Sequence, residues 1–168
     1  MEIEELWKTG RTLRWHAYHP IGEQTVADHA WGVTTILMEI VPSDDPELVD
    51  ILRYALHHDS YEYYTGDVPY QAKEKFFTLK TAIDSVEDRL NQIHRLLPKL
   101  SPRARSILKW ADMFELYLFS IHQMKLGNMY YAPVRAKAFE ILMQTCPKIE
   151  LVELLNGVKN RCRLMIDK

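Results

Sequence analysis

With 168 residues, 47% hydrophobic and 26% charged, the chain has the balance of one globular domain, long enough to bury a core without disulfides or a structural metal. Its net charge of -2 argues against a nucleic-acid backbone as the main partner, because phosphate tracking needs a basic surface. No apolar run approaches a membrane span, Cys146 and Cys162 have no ligand-like spacing, and the acidic start Met1 to Leu6 resembles no targeting sequence, so the expected setting is a reducing cytoplasm.

Strand signals are weak, with no sustained alternation and no Asn-Gly or Asp-Gly hairpin turn. Helix signals are frequent, and they predict an all-α, single-domain bundle of about six or seven helices over residues 1–168. Thr25-Val26-Ala27-Asp28 reads as a capping box that opens a helix to about Val41. Pro42 to Pro46 is a break, with Asp45 as N-cap and Pro46 as the first residue of a helix reaching Asp59 or Glu62. After a Thr65–Pro69 loop, Ile83, Val86, Leu90, Ile93 and Leu97 mark an amphipathic helix from about Thr81 to Leu97, stopped by Pro98. Ser101-Pro102 caps a helix to about Lys125 that is apolar nearly all round and therefore central. Two further helices are expected over 133–144 and 148–165.

Three of these helices carry residues that fit poorly in a core. At about 100° per residue, Leu48, Ile51, Leu52, Ala55 and Leu56 form one stripe; Asp59 falls in its middle, His58 on its edge, and His57 points away. A buried carboxylate costs several kcal/mol unless it is paired, protonated or bound to a metal, so an Asp59–arginine ion pair at a helix end is the simplest explanation of this segment alone. His29 lies at the edge of the Val26, Val33, Ile36, Ile40 stripe, where a hydrogen-bonded core histidine is the plain alternative, while Asp28 faces solvent. Asp112 interrupts the apolar central helix, and Arg14, Arg53 or Arg105 could pair with it. Taken together, His29, His58, Asp59 and Asp112 come from three helices and all face inward, a set suited to Zn²⁺, Mn²⁺, Fe²⁺ or Co²⁺.

The order His … His-Asp … Asp resembles the signature of the HD-domain phosphohydrolase superfamily. Arg14-Trp15, Thr25-Val26-Ala27-Asp28-His29, His58-Asp59-Ser60-Tyr61-Glu62 and Thr65-Gly66-Asp67-Val68-Pro69 with Lys73 are similar to one branch, the YfbR-type 5′-deoxynucleotidases and the short phage triphosphohydrolases of the DatZ type. The likeness spans about Arg14 to Asp112. Asp28 stands where that branch usually has Glu, Tyr61 stands where it tends to have a small residue, and the short interval from Asp59 to Asp112 resembles the phage-type enzymes.

The resemblance implies an HD-domain fold and a divalent cation (Co, Mn, Zn, Fe or Mg) held by His29, His58, Asp59 and Asp112. It implies that Asp59 and Glu62 serve catalysis, with Glu62 orienting water or handling a leaving-group proton. Arg14 and Lys73 would hold phosphate oxygens, with Lys75 and Lys80 as weaker candidates. Trp15 would wall the base or sugar, or else fill the core. Asp67 would bind a sugar hydroxyl, or else close its turn. The implied substrate is a deoxynucleotide, with release of triphosphate from dATP as the first reading. Alternatives are a 5′-deoxynucleotidase acting on monophosphates and a non-catalytic nucleotide-binding module. The tyrosine- and methionine-rich apolar content would suit a homo-oligomer.

Overall fold

The central helix is built as its sequence predicts. In the computed structural model, which describes residues 2–15, 17–146 and 156–157, the elements are α1 (Ile3–Thr9), α2 (Val26–Ile40), α3 (Leu48–His57), α4 (Glu62–Thr65), α5 (Tyr70–Lys75), α6 (Phe77–His94), α7 (Pro102–Lys125), a 3₁₀ turn (Met129–Tyr131) and α8 (Ala132–Thr145). The Ser101 side chain accepts the Ala104 N–H at 3.1 Å, Pro102 takes the first turn, and Gly127, at φ 96°, follows the helix end. Val33, Leu37, Ile51 and Ala55 pack from α2 and α3 onto Ala104, Ile107, Leu108 and Ala111 of α7. The other flank of α7, through Trp110, Phe114, Tyr117 and Ile121, packs with Ala138 and Leu142 of α8. α7 is therefore covered on two flanks, and an acid on the side that meets α2 and α3 needs a partner there.

Among the described residues there is no β-strand; a single bridge, Leu13 with Thr25, ties the segment before α2 to that helix's start. Thr25 and Asp28 cap α2 reciprocally, which fixes Asp28 on the outside as expected. The Gln123 amide, wholly buried, pins the loop before α2 by bonding both Ile21 N–H (2.7 Å) and Ile21 C=O (3.1 Å).

Two elements depart from expectation. Asp45 does accept a backbone N–H, from Glu47 at 2.9 Å, but it caps a preparatory turn, and α3 proper starts at Leu48. That helix stops at His57 rather than running on to 59–62: Ser60 N–H bonds His57 C=O and Glu62 N–H bonds Asp59 C=O, a tighter i→i+3 path that turns the chain into α4. Leu56, placed in the apolar stripe by helical period, is 51% exposed, and the fully buried part of the stripe narrows to Ile51 and Ala55. α6 begins four residues before the expected Thr81 and ends at His94, where Arg95 takes the left-handed conformation at φ 50°. Ile93 is 59% exposed, and Ile83 is the residue of α6 that is fully buried. The helix expected over 148–165 lies almost wholly outside the described residues, as do His16 and Cys162.

Candidate metal centre

α2, the end of α3 and α7 meet at one point. His29 from α2 brings Nε2 to 3.1 Å from Asp112 Oδ1 on α7 and to 3.4 Å from His58 Nε2 just past α3. Asp59 Oδ2 lies 3.8 Å from His29 Nε2 and 3.5 Å from His58 Nε2. The donor atoms of His29, His58 and Asp59 fall within 4.8 Å of one another. Both imidazoles are held from behind. His58 Nδ1 is 2.8 Å from the Ala55 C=O, which can only accept, and His29 Nδ1 is 2.7 Å from Glu115 Oε2. Each ring therefore donates N–H outward from Nδ1 and turns Nε2 into the cluster. Two such nitrogens aimed at each other and at two carboxylates need a cation between them, either a proton or a metal ion.

The electrostatics say the same. Burial lowers the His29 pKa, but hydrogen bonds to Asp112 and Glu115 outweigh it and raise it to about 9. Burial raises that of Asp112, but its bond to His29 and the surrounding positive charge bring it down to about 2. For Asp59, burial is outweighed by His58, Arg14 and His29, and the carboxyl stays below its ordinary range. The Asp112 side chain is 45% exposed, so the cluster opens to solvent on that edge. There it borders a cleft of about 1190 Å³ between α7 and α8, which meets the cluster only at Asp112.

Arg14 Nη1 pairs with Asp59 Oδ2 at 2.5 Å, so the ion pair considered as the alternative for Asp59 is present and shares the oxygen that faces the histidines. Glu62 is 3% exposed, with Oε2 lacking a hydrogen-bond partner among the described residues. Burial and the nearby Asp59 charge push its pKa up to about 8. The i→i+3 turns after α3 thus deliver Glu62 inward even though the helix is broken.

The remaining expected residues take defined places. Trp15, at φ 65°, stacks on Phe119 (5.8 Å, 15°) with Tyr18 and Tyr131 against its edges, so it belongs to an aromatic cluster. Asp67 accepts the Trp15 backbone N–H at 2.9 Å, tying the 65–69 loop to Arg14-Trp15. Lys73 lies on α5 with Nζ 3.4 Å from the Tyr61 hydroxyl, and Tyr61 itself is buried. Lys80 pairs with Asp84 on an exposed face and Lys75 sits over Phe76, both apart from the cluster. His57 stays out of the donor set, as its helical position requires.

Three residues of this centre are not singled out by sequence reasoning. Glu115 holds His29; it is i+3 from Asp112, a second acid on the same side of an apolar helix, which is the signal that marks it. Gln24 is buried and donates to Glu115 Oε1 at 2.7 Å. Gly32, one turn past His29, lets Glu115 approach: a Cβ there would stand 2.9 Å from Glu115 Cγ.

Comparison with known proteins agrees with this architecture. A dATP triphosphohydrolase of Salmonella phage PMBT28 is 27% identical over 143 residues, covering 79% of this chain and 71% of that protein. The PH0347 protein of Pyrococcus horikoshii OT3 shares the fold at a TM-score of 0.75 and 21% identity, over 93% of this chain and 95% of that one. The HD phosphohydrolase DatZ of cyanophage S-2L, solved with dA and one catalytic Zn²⁺ ion, does so at 0.71 and 21%, over 99% and 97%. A family model described as 5′-deoxynucleotidase YfbR-like matches residues 6–106, more than half of the chain, and the protein belongs to the YfbR-like family.

Proposed function

We propose that the chain is a divalent-metal-dependent phosphohydrolase of deoxynucleotides, and that it releases triphosphate from a deoxynucleoside triphosphate, dATP first. The observation that carries the reading is the inward turn of His29 Nε2 and His58 Nε2 onto Asp59 and Asp112, with each outer Nδ1 held by an acceptor. These residues would hold the cation, and an imidazole-rich set favours Zn, Mn, Fe or Co over Mg. A bound divalent ion lowers the pKa of water from 15.7 towards about 7 and polarises a phosphoryl oxygen. Arg14, already on Asp59, offers the rest of its guanidinium fork to phosphate oxygens. Lys73 adds a point charge from α5, and Glu62, buried beside Asp59 with Oε2 unpartnered among the described residues, would carry a proton between water and leaving group. Trp15 walls the nucleoside end.

The dATP triphosphohydrolase relative supports the substrate, and the zinc- and dA-bound neighbour supports both cation and nucleoside. A second reading, a 5′-deoxynucleotidase acting on monophosphates, is favoured by the description of the family model. Purified protein with Mn²⁺ or Co²⁺, a panel of deoxynucleoside mono- and triphosphates and an EDTA control separates the two. Inorganic triphosphate from dATP supports the first reading, orthophosphate from monophosphates alone the second, and no metal-dependent product a non-catalytic binding module. No described helix is long and apolar enough to cross a membrane. The exposed Tyr70, Phe76 and Phe77 around α5 suit assembly into a homo-oligomer, and the cytoplasm is the proposed location.

A further inference from the structure

A chain of hydrogen bonds runs from the aromatic cluster into the metal centre. Trp15 Nε1 donates to Gln24 Oε1 at 2.6 Å, Gln24 Nε2 donates to Glu115 Oε1 at 2.7 Å, and Glu115 Oε2 lies 2.7 Å from His29 Nδ1. An indole N–H can only donate. It therefore fixes the Gln24 amide with oxygen towards Trp15 and nitrogen towards Glu115. The Glu115 carboxylate accepts at both oxygens, so His29 must place an N–H on Nδ1, which leaves Nε2 as the nitrogen that faces the cation. Gln24 and His29 are both buried, so water does not readily replace a lost link.

We propose that Gln24 and Glu115 are positioning residues that set which nitrogen of His29 meets the cation, with the donor-only indole of Trp15 fixing the direction of the whole chain. The inference rests on the reading of His29 as a metal ligand. It assigns Trp15 a second task besides walling the nucleoside, and it gives the buried Gln24 a purpose that the phosphohydrolase reading alone does not.

The test exchanges an amide for a carboxylate without changing shape. In Glu115→Gln, the direction imposed by Trp15 leaves the new amide nitrogen facing His29 Nδ1. The ring nitrogen opposite it must then accept, and the ring proton moves to Nε2, where it opposes the cation. Zinc affinity, measured by competition with a chromophoric chelator, should fall roughly 10–100-fold, the usual loss when the outer partner of a metal-bound histidine is removed. Long-range ¹H–¹⁵N spectra of histidine-labelled, zinc-free protein should show His29 without a proton on Nδ1 in the variant, where the starting protein carries one. The double variant Gln24→Glu/Glu115→Gln restores an acceptor for Trp15, a donor to the new carboxylate at position 24 and an acceptor for His29 Nδ1–H. It should recover zinc affinity to within a few-fold of the starting protein, with the proton back on Nδ1. Trp15→Phe in the Glu115→Gln background frees Gln24 to flip and should recover part of the loss.

Unchanged zinc affinity in Glu115→Gln, or a double variant no better than the single one, overturns the proposal. Should Glu115→Gln fail to fold, Gln24→Leu breaks the same chain at its other link: about tenfold weaker zinc binding supports the proposal and an unchanged constant overturns it. His29→Ala separates the two levels. If it keeps zinc, the metal-ligand reading falls; if it loses zinc while Glu115→Gln keeps it, only the positioning role falls.

Discussion

Gly32→Ala is the substitution whose effect the geometry predicts against the usual rule. In the middle of α2, replacing Gly by Ala ordinarily stabilises by about 0.8–1 kcal/mol through helix propensity. Here the new Cβ would stand 2.9 Å from Glu115 Cγ and 3.4 Å from its Oε1, so Glu115 must retreat by about 0.5 Å to reach ordinary contact at 3.4 Å. Both of its oxygens are committed at 2.7 Å, to Gln24 and to His29, and a retreat stretches them together. Hydrogen bonds to a charged group contribute roughly 1.5–3 kcal/mol each. Losing about half of two such bonds outweighs the propensity gain, and we expect a net loss of about 1–2 kcal/mol in chemical denaturation, with cation affinity weakened about tenfold by chelator competition. The assay is a double-mutant cycle with Glu115→Ala, because in that background the clash is gone and Gly32→Ala should return to its ordinary gain of about 1 kcal/mol. A Gly32→Ala variant that is simply more stable, with unaltered cation affinity, would show that Glu115 has no need of its present position.

His58→Ala and Asp112→Ala should each abolish cation retention and turnover, whereas His57→Ala should leave both nearly unchanged; a dead His57 variant beside an active His58 variant would contradict the side-chain placement. Glu62→Gln should keep the cation, read by metal analysis after gel filtration, and lose roughly 10²–10⁴-fold in kcat, the usual worth of a positioned proton carrier. The cation-free protein should lose stability as pH rises. His29, held at about 9 against an ordinary 6.5, contributes stability that is complete below pH 6.5 and gone above 9, on the order of 3 kcal/mol. Glu62, at about 8 against 4.5, slopes the same way between those values, so melting temperatures should fall from pH 6.5 to 9, and fall less in Glu62→Gln. Cation binding near neutral pH should release about one proton, because His29 must give up the proton on Nε2; calorimetric titrations in buffers of different ionisation enthalpy measure it, and zero release would exclude His29 as a ligand.

The bundle was legible because its signals are local. Thr25/Asp28, Ser101-Pro102 and Gly127 announce helix ends through capping and turn chemistry that needs no tertiary partner. The break after His57 was not legible, since nothing between 57 and 62 is a Gly or Pro, and the Asp59 that lies just beyond it pairs with Arg14, a residue 45 positions earlier. The places of His29 and His58 at the edges of their apolar stripes followed from helical period, whereas Asp112, whose side chain is 45% exposed, stood out as an acid in an apolar helix. Glu115 was marked only by its spacing of three from Asp112 on an apolar helix, and Gln24 looks like an ordinary polar residue until the start of α2 and α7 are placed side by side. Trp15 and Asp67 each carried two readings, and neither anticipates their contact: the Asp67 carboxylate holds the backbone N–H of Trp15, 52 positions earlier.

The ion pair between Arg14 and Asp59 first looks like a competitor to the metal reading, since a paired carboxylate needs no cation. A count of charge at the centre removes the competition. Asp59, Asp112 and Glu115 bring three carboxylates around His29, and Arg14 brings one guanidinium. Glu62, with its pKa near 8, adds little charge at neutral pH, and the two imidazoles, each donating from Nδ1, are neutral when Nε2 is a ligand. The balance is two negative charges in a largely buried space, where uncompensated charge is costly. A single proton on His29 cancels only half of it. A divalent cation cancels all of it while satisfying both Nε2 lone pairs, and the arginine can then turn part of its fork towards an incoming phosphate. Arg14 is thus part of what makes the site's charge two rather than three, and so part of what matches it to a divalent ion.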